Sequence, residues 1–82
     1  MAINASYDAI SQDLTVTGDG ADDEITVSRN GPGTLLVNNG AVPITGGTAT
    51  VANTDLIAVS GGLGNDTIAL DETNGALPAA SA

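Results

Sequence analysis

The chain contains neither cysteine nor histidine. Disulfides and Cys-based zinc or iron–sulfur sites are therefore excluded. So are a Ser-His-Asp triad and any imidazole metal ligand. Aromatic residues are almost as scarce: Tyr7 stands alone, with no Phe and no Trp. That argues against a sugar- or base-stacking groove and against an aromatic hot-spot interface. Positive charge is equally rare. Arg29 is the single base against ten acids, for a formal charge of −9. Phosphate contact needs Lys and Arg, so nucleic acid is not an expected partner. An anionic bilayer surface would repel the chain, and no apolar run is long enough to insert into one.

Met1-Ala2-Ile3-Asn4-Ala5 has neither the basic nor the apolar stretch of a classical signal peptide. The expectation is a cytoplasmic protein, a mature fragment, or export by a route that uses no N-terminal signal. Catalysis has little to draw on. Without His, Cys or Lys the acid–base repertoire is nearly empty, and no pocket-forming bulk accompanies the carboxylates. We expect no enzyme activity.

What remains is specific. Eighty-two residues make one domain at most, or a piece of a larger one, and the core is marginal because so short a chain buries only about 60% of its unfolded surface. The supports left open are an oxygen-bound metal or self-association. Apolar residues make up 41% of the chain, mostly aliphatic, which is richer than a disordered acidic tail. They alternate instead of recurring at three and four, so strands are expected and helices are not.

The strand-like runs are Leu14–Thr17, Glu24–Arg29, Thr34–Asn38, Ala41–Ile44, Thr48–Val51, Leu56–Ser60 and Thr67–Asp71, with Ile3–Ile10 as an irregular further candidate. Turn signals separate them: Gly31-Pro32-Gly33, Asn39-Gly40, Gly46-Gly47 and Asn53-Thr54-Asp55. Asn39-Gly40 predicts a two-residue type I′ hairpin. Pairs such as Ile25 and Val27, Ile57 and Val59, or Ile68 and Leu70 predict one buried face per strand. The uncharged stretch 74–82, like 1–12, reads as a terminal docking segment. Neither end looks like a polar cap, which predicts end-to-end association into a filament.

The chain also repeats itself. Leu14-Thr15-Val16-Thr17-Gly18 aligns with Ile57-Ala58-Val59-Ser60-Gly61, and Asp22–Val27 aligns with Asn65–Leu70 at the same offset. Both copies read strand, Gly-rich acidic loop, strand, which points to a stacked architecture. The second loop, Gly61-Gly62-Leu63-Gly64-Asn65-Asp66-Thr67-Ile68-Ala69, fits the nonapeptide G-G-x-G-x-D-x-U-x at every fixed position, U being a large aliphatic. Its glycines permit tight turns that aim carbonyl oxygens inward, and its aspartate adds a charged oxygen. Ca²⁺ takes about six to eight such oxygens.

The first loop, Gly18-Asp19-Gly20-Ala21-Asp22-Asp23-Glu24-Ile25-Thr26, is degenerate. It keeps Gly18, Asp23 and Ile25, but Asp19 and Ala21 replace glycines. The candidate metal ligands are Gly61, Gly62, Gly64, Asn65 and Asp66 in one loop, and Gly18, Asp19, Gly20, Asp22 and Asp23 in the other. Asp71 and Glu72 read as surface acids, Asp8, Asp13 and Asp55 as turn or edge charges, and Arg29 as a solvated strand residue or a rim ion pair.

These two nonapeptides resemble the repeats-in-toxin, or hemolysin-type, calcium-binding family. The resemblance implies an all-β, β-roll or β-solenoid-like fold with Ca²⁺ between successive turns. It also implies an extracellular protein exported by a type I route. In that family the nonapeptides run back to back, whereas here they lie far apart. Either the intervening chain makes larger coils that still bring the loops together, or each loop pairs with one on another chain. The functional expectation is a calcium-binding extracellular structural protein that assembles with itself into a fibre, matrix or surface layer. The alternative is a folding or secretion module of a larger secreted toxin, adhesin or hydrolase.

Overall fold

A computed structural model of the chain describes residues 3–20 and 22–81, the last of these by backbone only from residue 79. The structure is all-β, with a single short 3₁₀ turn at Asn38–Gly40. Eight strands form in chain order: β1 Asn4–Asp8, β2 Asp13–Thr17, β3 Glu24–Arg29, β4 Leu35–Val37, β5 Ile44–Thr45, β6 Leu56–Ser60, β7 Thr67–Asp71 and β8 Ala79–Ser81. They make a five-stranded sheet, β5-β1-β2-β6-β8, and a three-stranded sheet, β4-β3-β7. Neither sheet closes on itself.

The sequence repeat is the register of both sheets. β2 pairs with β6 in parallel from Asp13↔Leu56 to Thr17↔Ser60. β3 pairs with β7 in parallel from Glu24↔Thr67 to Ser28↔Asp71. Parallel strands buried on one face must present the same side-chain alternation, and the two copies do so because they share it residue for residue. Leu14, Val16, Ile57 and Val59 face the core from one sheet, and Ile25, Val27, Leu35 and Val37 face it from the other. Aliphatic side chains with no aromatic bulk suit this thin layer between two sheets.

The segment between the copies closes one end of the stack. β1 folds back antiparallel on β2, and β4 folds back antiparallel on β3. β5 covers the far side of β1 through Ile44 and Thr45 alone. The far side of β4 is occupied by loop backbone: the Leu35 amide donates to Ala49 O at 2.9 Å, and the Val51 amide donates to Gly33 O at 2.9 Å. Tyr7, the lone aromatic, is buried here and donates its hydroxyl hydrogen bond to Asn53 O.

This closed end corrects three expectations. Thr48–Val51 is not a strand; it contributes only the isolated bridge Thr34↔Thr50, and of Ala41–Ile44 only Ile44 enters a strand, β5. Asn39-Gly40 does not make a two-residue hairpin. Asn38, Asn39 and Gly40 all have positive φ, and the chain rejoins only at the bridge Val37↔Val42. The cause is Asn38, whose side-chain oxygen accepts from the Thr26 amide at 2.8 Å and whose amide group donates to Glu24 O at 3.1 Å. The side chain extends the β4 ladder where the backbone has left it.

Candidate metal-binding site

β2 and β6 run side by side into the two Gly-rich loops, and β3 and β7 run side by side out of them. Loops 18–23 and 61–66 are therefore stacked within one chain, the first of the two arrangements left open by the sequence. Four contacts fix the stack. The Gly18 amide donates to Ser60 O at 2.7 Å, and the Thr67 amide donates to Asp23 O at 2.8 Å. The Asn65 amide donates to Asp22 Oδ1 at 2.7 Å, and the Asp23 amide donates to Asp66 Oδ1 at 2.8 Å. Two carboxylates thus reach between the loops, in opposite directions. Asp22 has no counterpart among the fixed residues of the nonapeptide, yet it makes one of these links.

Three of the glycines at the seam are required by close approach. A Cβ on Gly61 would lie 2.5 Å from Asp66 Oδ2, and one on Gly18 would press on Asp23 and lie 2.5 Å from Gly61 O. The first and sixth positions of each nonapeptide therefore touch in the same way. At Gly62, with φ +77°, a Cβ would sit 2.5 Å from Asp19 O and 3.1 Å from Gly18 O. The carbonyl oxygens of Gly18, Asp19 and Gly61 and the carboxylates of Asp23 and Asp66 crowd the seam between the loops.

Asp23 is the anomalous member. It is only 2% exposed. Its Oδ2 accepts from the Asp19 amide at 3.0 Å, while its Oδ1 is buried with no hydrogen-bond partner. Burial raises its carboxyl above the ordinary aspartate range, and the charges of Asp19 and Asp66 raise it further. A buried carboxylate oxygen without a donor carries a desolvation penalty that a cation would remove. Oxygen donors of both kinds, held at glycines whose Cβ atoms would fill the seam, fit a hard cation such as Ca²⁺.

Other expected ligands are placed differently. Gly20 and Gly64 are exposed, and a Cβ on Gly20 would meet nothing within 4 Å, so both serve the turn and not the seam. Among the described residues the acidic side chains do not gather in groups of three around one point. A cation here would rely on backbone carbonyls as much as on carboxylates. Asp71 and Glu72 lie on the surface, where Asp71 accepts from the Thr73 amide at 2.9 Å.

Arg29 departs from its expected role. It forms neither a free solvated end nor a carboxylate pair in the described contacts. Its guanidinium donates to three backbone carbonyls, of Asn30 at 3.3 Å, Gly31 at 3.1 Å and Ala76 at 3.2 Å. Asn74 in return donates to Arg29 O at 3.0 Å. The one base fastens the segment after β7 to the β3–β4 turn. Its being the only base was the signal that it is structural, although nothing in the sequence named its partners.

Comparison with family models, curated proteins and solved structures returns no match. The site is therefore described by its own chemistry.

Proposed function

We propose that the chain is a calcium-binding structural module of the β-solenoid kind, whose two Gly-rich loops form one cation site. The observation that carries this reading is the buried, unpartnered Oδ1 of Asp23, set among stacked carbonyls and next to Asp66. Gly18, Asp19 and Gly61 would supply carbonyl oxygens, and Asp23 and Asp66 would supply carboxylates. Bound Ca²⁺ would relieve the repulsion among Asp19, Asp23 and Asp66 and turn binding free energy into folding free energy. The charge of −9 and the missing disulfides are consistent with such a support.

An extracellular setting accords with this, since extracellular calcium modules work at about 10⁻⁴–10⁻³ M Ca²⁺. Of the two functional readings, a filament needs two complementary open ends. The loop-covered side of β4 and the two-residue β5 favour the second reading, a calcium-dependent folding or secretion module of a larger secreted toxin, adhesin or hydrolase. Calorimetric titration tests the site. Ca²⁺ should bind with a stoichiometry of one at the seam, and Asp66→Ala should weaken it far more than Asp71→Ala. Equal effects of the two substitutions would refute the assigned site.

A further inference from the structure

A second polar site lies on the outer face of the three-stranded sheet, at the end of β3 and β7 remote from the Gly-rich loops. Ile25 and Val27 face the core, so Ser28 points the other way. Its cross-strand neighbours there are Leu36 on β4 and Asp71 on β7. Ser28 is the floor of a cavity of about 110 Å³, rimmed by Asp71, Arg29, Asn30, Asn39 and Asn74. Ser28 is only 6% exposed, and its Oγ is buried with no hydrogen-bond partner. A buried hydroxyl left unpaired is costly, and whatever fills the cavity can pair it.

The rim groups are each half used. Asn30 Oδ1 accepts from the Gly33 and Thr34 amides at 3.0 and 2.8 Å, which commits its oxygen to the β3–β4 turn and leaves its NH₂ to donate. Asn74 is the reverse: its NH₂ donates to Arg29 O at 3.0 Å, and its Oδ1 remains an acceptor. Asp71 gives Oδ1 to the Thr73 amide and hydroxyl and keeps Oδ2. Arg29 gives three N–H groups to backbone carbonyls, and a guanidinium carries five. Donors and acceptors therefore alternate around one buried hydroxyl. Arg29 opposes a cation here, and Asp71 opposes an anion. The cavity is well below the roughly 300 Å³ at which drug-sized pockets begin, so it admits one edge of a ligand.

We propose that this cavity binds adjacent hydroxyls of a neutral polyol or sugar. A hydroxyl both donates and accepts, as this lining requires. One hydroxyl meets Ser28 Oγ on the floor and Asp71 Oδ2 beside it. Its neighbour spans the free NH₂ of Asn30 and the free Oδ1 of Asn74. Recognition is by hydrogen bonds at the edge of the ligand, without the aromatic stacking that this chain cannot supply. The site shares no residue with the cation seam and goes beyond the calcium reading.

Two-dimensional amide NMR of the whole chain in millimolar Ca²⁺ tests it, with titrations of glycerol and of the methyl glycosides of glucose, mannose and galactose. Saturable shifts are expected at Ser28 and at the side-chain amides of Asn30 and Asn74, and not in loops 18–23 and 61–66. Saturation by a glycoside alone identifies a sugar as the source of the hydroxyls, and saturation by glycerol as well shows that a bare diol suffices. Ser28→Ala should weaken binding roughly three- to tenfold, the worth of one hydrogen bond. Its melting temperature should hold or rise, because an unpaired hydroxyl is removed. Asp71→Asn keeps an acceptor for Thr73 and should also weaken binding, whereas Asp8→Asn in the β1–β2 turn should not. No saturable shift with any of the four compounds, shifts elsewhere than the cavity, or affinity indifferent to both substitutions would each overturn the proposal. A lower melting temperature for Ser28→Ala with no shift in any titration would mean that the cavity holds structural water only. Shifts at this cavity in a chain that binds no Ca²⁺ would keep this site and remove the seam.

Discussion

At Asp23 one side chain does two jobs that conflict in the absence of a cation. Its Oδ2 closes the first loop by accepting from the Asp19 amide, while its Oδ1 is buried without a donor. Replacing it by asparagine keeps an oxygen for the Asp19 amide and removes the charge. Asp23→Asn should therefore raise the melting temperature in chelator and abolish the response to Ca²⁺, as read by thermal melts in EGTA and in Ca²⁺. A lower melting temperature in both buffers would mean that the carboxylate is simply a structural acceptor. Asp66 differs, because its Oδ1 satisfies the Asp23 amide. Asp66→Ala orphans that buried donor and should cost about 1–3 kcal/mol even without calcium, measured by urea unfolding.

The nonapeptide made Asp66 visible in the sequence. Asp22's link to Asn65 was not visible, because it depends on which loop lies above which. Arg29 was likewise misread, since strand position says nothing about which carbonyls a guanidinium will find. Arg29→Ala should destabilise the chain by roughly 1.5–3 kcal/mol, the worth of hydrogen bonds to a charged group. Arg29→Lys should restore little of that in the same unfolding experiment, because a point-like ammonium does not span three carbonyls.

Among the elements, the legible strands were those that repeat. β3, β6 and β7 span the predicted residues, and β2 gains only Asp13. Each carries an alternating aliphatic pattern fixed by burial on one face. The connection from residue 38 to 55 was the illegible part. Its Val, Ile and Thr residues have strand propensity, but its backbone bonds are spent on capping β1 and β4, so propensity yields to tertiary context. The local turns were partly legible. Asn53 does make Asx-type bonds, although they run back to Thr50 and Thr48 and not forward to Leu56.

Two exposed aspartates act at element ends. Asp8 accepts from the Ile10 and Ser11 amides after β1, and Asp71 accepts from Thr73 after β7. For Asp8 the Ile10 amide is the first cause of a lowered pKa, and for Asp71 it is the Thr73 hydroxyl. A folded value below the unfolded one means that this stabilisation is present above the unfolded pKa. It is lost as pH falls through the folded pKa. Below about pH 4, the ordinary aspartate range, this contribution should be lost with acid, whereas protonation of Asp23, whose pKa burial raises, works the other way; Asp8→Ala should remove its share of the acid loss. An unchanged slope in acid titration followed by circular dichroism would show that the turn bond contributes nothing.

For the whole molecule, the governing facts are a thin aliphatic core, a charge of −9 and one seam where two acidic loops meet. The all-β class and the internal offset followed from the sequence. The unequal sheets did not, because they arise from β8 adding to β6 across an uncharged segment with little pattern. Closing carboxylates against carboxylates opposes folding, while the aliphatic core favours it, and a cation at the seam shifts that balance. The measurement that tests this most directly is thermal unfolding by circular dichroism in Ca²⁺, in Mg²⁺ and in excess EGTA. Mg²⁺ needs a smaller, stricter octahedral site and gives up water reluctantly. The account predicts a largely unfolded or markedly less stable chain in EGTA, and a melting temperature raised by Ca²⁺ far more than by Mg²⁺. One melting curve common to all three buffers would contradict it.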